Sequence, residues 1–420
     1  MKHSIRISIL LIVIVLLVGC SNKNLDGKKT SPEESNNNYI EDNKEDNKEN
    51  NKEEVDIIKD RIDSMSLEEK IGQLMIVGFD GTEVNDEIIR TIEELKVGGF
   101  ILFSRNIVDE NQTLSLLNKI KETNSNNDIP LFLSIDEEGG RVSRLPKSFV
   151  KIPVAMKIGN KNDKDISYRL GSILGRRVGS VGFNVDFAPV LDINSNPKNP
   201  VIGDRSFGST VDQVANNGLQ VMLGIKDTGI IPAVKHFPGH GDTDIDSHIK
   251  LPMVNKTIDQ LKSFELVPFM EAINKDADMV MVAHILYPNI DKDYPATMSS
   301  KMIQNILRDD LGYNGVVVSD DMTMGAIVEN YTLEDGVLSF IKAGGDIALV
   351  CHGKENPAKV FEKIKEAVKI GELNEKDIDD KVYRILKLKE KYNLRDNIIT
   401  DIDLETLNND TNKLINDINR

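Results

Sequence analysis

The stretch IIPAVKHFPGHGDTDIDSH, Ile230 to His248, joins two patterns. Its first five residues, Ile230 to Val234, are apolar without a break. Such a run fits a strand buried on both faces, as in a parallel sheet. The rest collects His236, His240 and His248, three of the six histidines in the chain, and the aspartates Asp242, Asp244 and Asp246 at every second position. Proton carriers set directly behind a buried strand point to a working site at that strand's C-terminal end.

Seven other runs repeat the first pattern: QLMIVGF, GGFILFS, PLFLSID, FNVDFAPVLDI, ADMVMVAHI, GVVVSDD and DIALVCHG. Amphipathic stretches separate them. In DEIIRTIEELK, Ile88, Ile92 and Leu95 share one face, and in FEKIKEAVK, Phe361, Ile364 and Val368 do the same. SLEEK, Ser66 to Lys70, carries a capping box that opens the first helix. Eight buried runs alternating with helices predict an α/β protein, a single (β/α)8 TIM barrel over residues 55–395. A doubly wound open sheet is the other arrangement of such units, but no Gly-rich nucleotide fingerprint follows the first run.

Polar residues gather where the runs end: Asp136 after the third, Asp186 and Asp192 in and after the fourth, Lys235 and His236 at the fifth, His284 at the sixth, Asp320 and Asp321 at the seventh, His352 at the eighth. In a barrel these ends meet on the face that carries active sites.

The 420 residues carry a formal net charge of −16, which disfavours nucleic acid as a partner. With no Trp, a carbohydrate-binding face built on Trp platforms is excluded. At the N-terminus Lys2 and Arg6 lead into the apolar run Ile7 to Val18, too short to span a bilayer. LVGC, Leu17 to Cys20, resembles a bacterial lipobox, so residues 1–20 are expected to be a lipoprotein signal with Cys20 as the lipidation site; an ordinary cleaved signal peptide is the alternative. The expected location is the outer face of a bacterial cytoplasmic membrane, with the lipid as the only membrane contact. Residues 21–54, typified by EDNKEDNKENNKEE, hold only Leu25, Tyr39 and Ile40 as large apolar side chains and are expected to be a disordered tether. Residues 396–420 are expected to be a short C-terminal tail, too small to form a second domain. Cys351 alone remains in the body, so no internal disulfide is expected.

His236 and His240 stand four apart, a zinc-ligand spacing on a helix, but Pro238 and Gly239 between them argue against a helix. A metal-dependent hydrolase is therefore a minor reading, and no metal or cofactor is expected. Asp246 precedes His248 by two residues, so in an extended loop its carboxylate reaches the imidazole. A carboxylate fixes the ring tautomer and raises its basicity, as general acid/base catalysis requires. A purely structural Asx-turn uses the same residues. Asp320, where a buried run emerges, is a candidate nucleophile for an anomeric carbon, with Asp321 as N-cap of the next helix. Gly239 and Gly241 allow a hinge in the loop that carries His248.

KHFPGHGDTDIDSH, SIDEEGGRVSR, NPVIGDRSFG and VVVSDDMTMGA together resemble glycoside hydrolase family 3, and within it the β-N-acetylglucosaminidases of bacterial cell-wall turnover, over residues of about 62 to 390. The resemblance implies Asp320 as nucleophile and His248 as general acid/base, tuned by Asp246. It places Asp136, Arg144, Arg205, Lys235 and His236 on the sugar. His240 is expected to shape the loop, and His284 to pack and orient. The implied activity is a retaining exo-β-N-acetylglucosaminidase acting, as a monomer, on carbohydrate chains that end in β-linked GlcNAc, peptidoglycan fragments above all. A neutral imidazole repels an anion less than a carboxylate does, so phosphate could stand in for water as the acceptor. The alternatives are a β-glucosidase or β-xylosidase of the same family, against which the DSH loop argues, and a muropeptide-binding lipoprotein without catalysis, against which the intact Asp320, Asp246 and His248 argue.

Overall fold

A computed structural model describes residues 56–420. The signal segment, Cys20 and the tether, residues 21–54, lie outside the described residues. Eight parallel strands close into a barrel in sequence order: β1 (Met75–Val77), β2 (Gly99–Leu102), β3 (Phe132–Ile135), β4 (Val185–Asp186), β5 (Ile231–Phe237), β6 (Met279–Val282), β7 (Val316–Asp321) and β8 (Ile347–Val350). The closing pair is β1 with β8, Met75 opposite Ala348. This is the expected (β/α)8 fold.

The strands are short, and almost every residue in them is buried, because helices cover their outer face and side chains fill the interior. One continuous apolar core runs through all eight strands. The helix Leu67–Gln73 starts at the expected capping box, with Ser66 Oγ accepting from Glu69 N and Glu69 accepting from Ser66 N. The helix Asp86–Glu93 buries Ile88 and Ile92 as its periodicity requires.

Residues 396–420 are not a loose tail. Asp403 caps a helix, Leu404–Asn419, which buries Leu407, Leu414 and Ile418. It packs on the helix Lys164–Ser180, with Arg169–Asp417 and Arg176–Asp410 ion pairs at 2.8 and 2.9 Å along its edge. The spacing of Leu407, Leu414 and Ile418 is helical, but Asn and Asp fill the positions between them and mask the stripe.

Candidate active site

Side chains from the strand ends enclose a cavity of about 290 Å³ that contains Asp136, Arg144, Arg205, Lys235, His236, His248 and Asp320. All seven come from sequence-predicted positions, and the barrel brings them together. The volume sits at the low end for small-molecule sites.

β5 delivers two of them in succession. The Lys235–His236 bond is cis, and both side chains face the cavity. Lys235 Nζ lies 2.6 Å from Asp136 Oδ1 and 2.7 Å from Glu138 Oε1. Glu138 also receives Arg205 through two nitrogens, Nε at 2.9 Å and Nη2 at 2.7 Å. Burial pushes the Glu138 carboxyl up, but Arg205 and Lys235 outweigh it and hold it well below the usual range. Burial disfavours the Lys235 ammonium, and Asp136 and Glu138 more than restore it. A desolvated cation and two carboxylates are thus fixed as a charged, hydrogen-bonding wall for hydroxyl groups.

His236 donates from Nδ1 to Asp192 Oδ2 at 2.6 Å, and its Nε2 faces Arg205 Nη2 at 3.4 Å. Those partners select the tautomer with the proton on Nδ1. Asp192 Oδ1 accepts from the backbone N–H of both His236 and His240, at 3.2 and 2.6 Å. Arg144 takes a different part. Its backbone N–H goes to Glu137, while its buried Nε has no protein partner. An orphaned guanidinium N–H in a cavity is a donor awaiting a ligand.

Asp320 emerges at the end of β7, where its Oδ1 accepts from Asp321 N at 2.8 Å. Burial pushes its carboxyl up, but His284, His236 and the Asp321 N–H bring it down to about 2. The charged carboxylate is therefore its favoured form. His284 donates from Nε2 to the Asp321 carbonyl at 2.9 Å and meets Thr297 Oγ1 at 2.7 Å. It therefore orients the β7 end, as expected.

Asp321 does not cap the next helix. Its Oδ1 accepts from Thr323 N, Thr323 Oγ1 and Cys351 N, which ties the β7 loop to the end of β8. The following helix, Gly325–Val328, begins at Met324 with no side-chain cap. The nearby Thr323 hydroxyl and the Cys351 N–H at the end of β8 take the carboxylate instead.

His248 Nδ1 sits 2.8 Å from Asp246 Oδ1, and the same oxygen accepts the His248 backbone N–H at 2.9 Å. The dyad and the Asx-turn are therefore one object. The hinge expected at Gly239 and Gly241 does not fit. A Cβ on Gly241 would sit 1.7 Å from Ile193 O, and Tyr287 Oη donates to Gly239 O. Both glycines serve close packing, and the exposed part of the loop lies further on, at Asp244 to Lys250.

Two residues that shape the cavity wall escape a reading of the sequence alone. Glu138 hides in the glutamate pair Glu137–Glu138, of which Glu137 instead folds the next loop by accepting from Ser143 and from Arg144 N. Asp192 is visible as a strand-end carboxylate, but nothing in the sequence pairs it with His236. Among the described residues, no group of three or more His, Cys, Asp or Glu is placed to hold a metal ion.

Residues 66–388 match the glycosyl hydrolase family 3 N terminal domain. A β-hexosaminidase A of Pseudoalteromonas piscicida is 36% identical over 334 residues, covering 74% of this chain and 56% of its own length. A β-hexosaminidase of Idiomarina loihiensis is 35% identical, covering 70% and 87%. The structure of a glycoside hydrolase family 3 β-N-acetylglucosaminidase from Paenibacillus sp. superposes with a TM-score of 0.79 at 38% identity, covering 84% of this chain and 68% of that one. A β-N-acetylhexosaminidase from Beutenbergia cavernae gives 0.72 at 27%, covering 78% and 99%. The chain spans little more than half the length of the first of these relatives and most of the length of the rest. With its closed barrel and its strand-end carboxylates, this chain belongs to glycoside hydrolase family 3.

Proposed function

We propose that the protein is a retaining exo-β-N-acetylglucosaminidase that removes a terminal β-linked GlcNAc from peptidoglycan fragments. The observation that carries the reading is that one small cavity holds an ionised Asp320 and a His248 whose ring is oriented by Asp246. The reaction has two steps. The Asp320 carboxylate attacks carbon 1 as the glycosidic C–O bond breaks. His248 Nε2 gives its proton to the departing oxygen. A water molecule then attacks carbon 1 of the glycosyl ester and gives its proton back to His248, and GlcNAc leaves with its configuration retained. Asp136, Lys235, Arg205 and His236 hold hydroxyl groups, and the unpartnered Arg144 guanidinium supplies a further donor. Lipidation at Cys20 would anchor this activity outside the cytoplasmic membrane.

The test compares an aryl β-N-acetylglucosaminide with the matching β-glucoside, with chelator present throughout. Turnover of the N-acetyl substrate, lost in Asp320→Asn while sugar binding persists, is expected. Turnover of the glucoside instead, or an undiminished Asp320→Asn enzyme, overturns the reading.

A further inference from the structure

The loop that carries His248 is exposed from Asp244 to Lys250, with one interruption. Asp244, Ile245, His248, Ile249 and Lys250 face solvent, and Asp246 is half-buried. Ser247 is 2% exposed. A buried serine between two functional residues of a solvated loop needs a partner, and it has one. Its Oγ lies 3.0 Å from His240 Nε2.

Both ring nitrogens of His240 are hydrogen-bonded. Thr243 Oγ1 lies 2.9 Å from His240 Nδ1 and 3.1 Å from the His240 carbonyl. Asn199 Nδ2 donates to that same Thr243 oxygen and to the His240 carbonyl, at 3.2 and 2.8 Å. A neutral imidazole carries one donor and one acceptor, and each hydroxyl can give or take a proton. Whichever nitrogen holds the proton, His240 Nε2 and the Ser247 hydroxyl share one hydrogen bond. Burial, with His236 close by, pulls the His240 ring down to about 4, which keeps it neutral as this pattern needs. His240 is itself anchored, its backbone N–H donating to Asp192 Oδ1 at 2.6 Å.

The main chain of Ser247 is gripped from the opposite side. Its carbonyl accepts from Ala326 N at 3.1 Å, on the segment that follows β7 and Asp320. The neighbouring glycine permits this approach: a Cβ on Gly325 would lie 2.7 Å from His248 O and 2.8 Å from Ile249 O. Ser247 is thus held by its side chain to the floor that carries His236, and by its backbone to the segment that carries Asp320.

We infer that Ser247, through the His240 imidazole, is a positioning residue that pins the His248 loop and sets where His248 stands relative to Asp320. The inference rests on His248 being the acid/base. Asp246 fixes the orientation of the His248 ring, and Ser247 fixes where that ring stands. Proton donation to a leaving oxygen needs a heavy-atom approach of about 3 Å, so a loop released from its pin loses acid catalysis before it loses sugar binding.

The experiment uses the leaving group as the readout, on the full chain. Values of kcat/KM are measured for a GlcNAc-β-1,4-GlcNAc disaccharide, whose leaving alkoxide needs a proton, and for a 2,4-dinitrophenyl β-N-acetylglucosaminide, whose leaving group does not. Ser247→Ala is expected to lose about tenfold or more on the disaccharide, a fraction of the whole acid-catalytic effect, and several times less on the dinitrophenyl substrate. KM for the aryl substrate stays within about threefold of wild type, because the sugar wall is untouched. Adding His240→Gln is expected to cost little beyond the larger single effect, since both substitutions break the Ser247–His240 bond. Ser247→Cys keeps the side-chain volume with a weaker donor and carries the same test if the alanine variant does not fold. Equal losses on the two substrates, or no loss on the disaccharide, overturn the pin. His248→Ala is run alongside. If it too affects both substrates equally, the assignment of the acid fails, and that failure is separate from the pin.

Discussion

Asp246 holds His248 with a single oxygen, Oδ1, which accepts both the ring Nδ1 at 2.8 Å and the backbone N–H at 2.9 Å. Burial raises the Asp246 carboxyl, and these two contacts more than reverse it, so the carboxylate is the favoured form. Asp246→Asn keeps an oxygen for the backbone N–H but removes the charge that stabilises a protonated ring. The turn is expected to survive while proton transfer weakens. The kcat/KM for a disaccharide should fall about hundredfold, with an unchanged far-ultraviolet spectrum. A fall of less than about threefold would assign Asp246 a purely conformational part.

Glu138 is the shared counter-ion of Arg205 and Lys235, each of which reaches it at 2.7 Å. Glu138→Gln leaves two buried cations with Asp136 as the remaining partner of Lys235. Breaking a buried pair in this way costs about 3 kcal/mol. Urea unfolding should show that loss at constant m-value, and KM for the aryl N-acetylglucosaminide should rise because the sugar wall loses its fixed geometry. Unchanged stability would mean that Asp136 alone neutralises the cluster.

Why the barrel can be read in advance while Glu138 cannot follows from the range of each signal. Every strand is a local event, a short apolar run such as Val316–Val318 between turn signals, and eight of them allow few topologies. Lys235, His236 and Asp320 announce themselves because a charge at the end of a buried run is rare locally. Glu138 carries no local mark. Its role depends on Arg205 and Lys235, which are 67 and 97 residues away in sequence, and its neighbour Glu137 has the same chemistry with a structural task. The N-cap expected at Asp321 is lost for the same reason, since its competing partner, Cys351 N, lies on the next strand. The helix Leu404–Asn419 is hidden differently. Its apolar stripe is thin, and tertiary contacts, chiefly with the helix Lys164–Ser180, make it sufficient.

Acid stability should be lost in two steps. The His240 ring titrates at about 4 in the folded protein against an ordinary value of 6.5, so the unfolded chain binds more protons between those values. Stability from this group is complete above about pH 6.5 and falls as the pH drops toward 4, by roughly 3 kcal/mol at most. Asp320, held down at about 2, adds stability that is present above about pH 4 and lost as the pH falls through 2. His240→Gln should flatten the first step and leave the second. Unfolding free energies of the two proteins between about pH 7 and 2 check this; parallel curves would refute the assignment to His240.

Lys389 closes the far end of the barrel, where chemistry is not expected. It is 3% exposed, and its three N–H donors reach Gln73 Oε1 at 2.8 Å, Gly98 O at 3.0 Å and Pro130 O at 2.7 Å. Its ammonium also lies 4.5 Å from the centre of the Phe132 ring. It thereby ties the helix Glu375–Lys391 to the helix Leu67–Gln73 and to the starts of β2 and β3. Burial lowers its ammonium to about 7, from an ordinary 10.5, because no carboxylate touches it; Asp396 opposes this only weakly. Two effects then compete in Lys389→Met. The desolvation cost disappears, and three acceptors lose their donor. Three orphaned acceptors outweigh the relief, so a net loss of about 2 kcal/mol is expected at pH 7. The sign of the pH dependence separates the two effects. The unfolded chain holds the Lys389 proton up to about pH 10 and the folded protein only to about 7, so the wild type gains stability from this group as the pH rises between them. The gap between wild type and Lys389→Met in chemical unfolding should therefore widen from pH 7 to 9. A gap that stays constant would mean that the three acceptors hold the ammonium charged through that range.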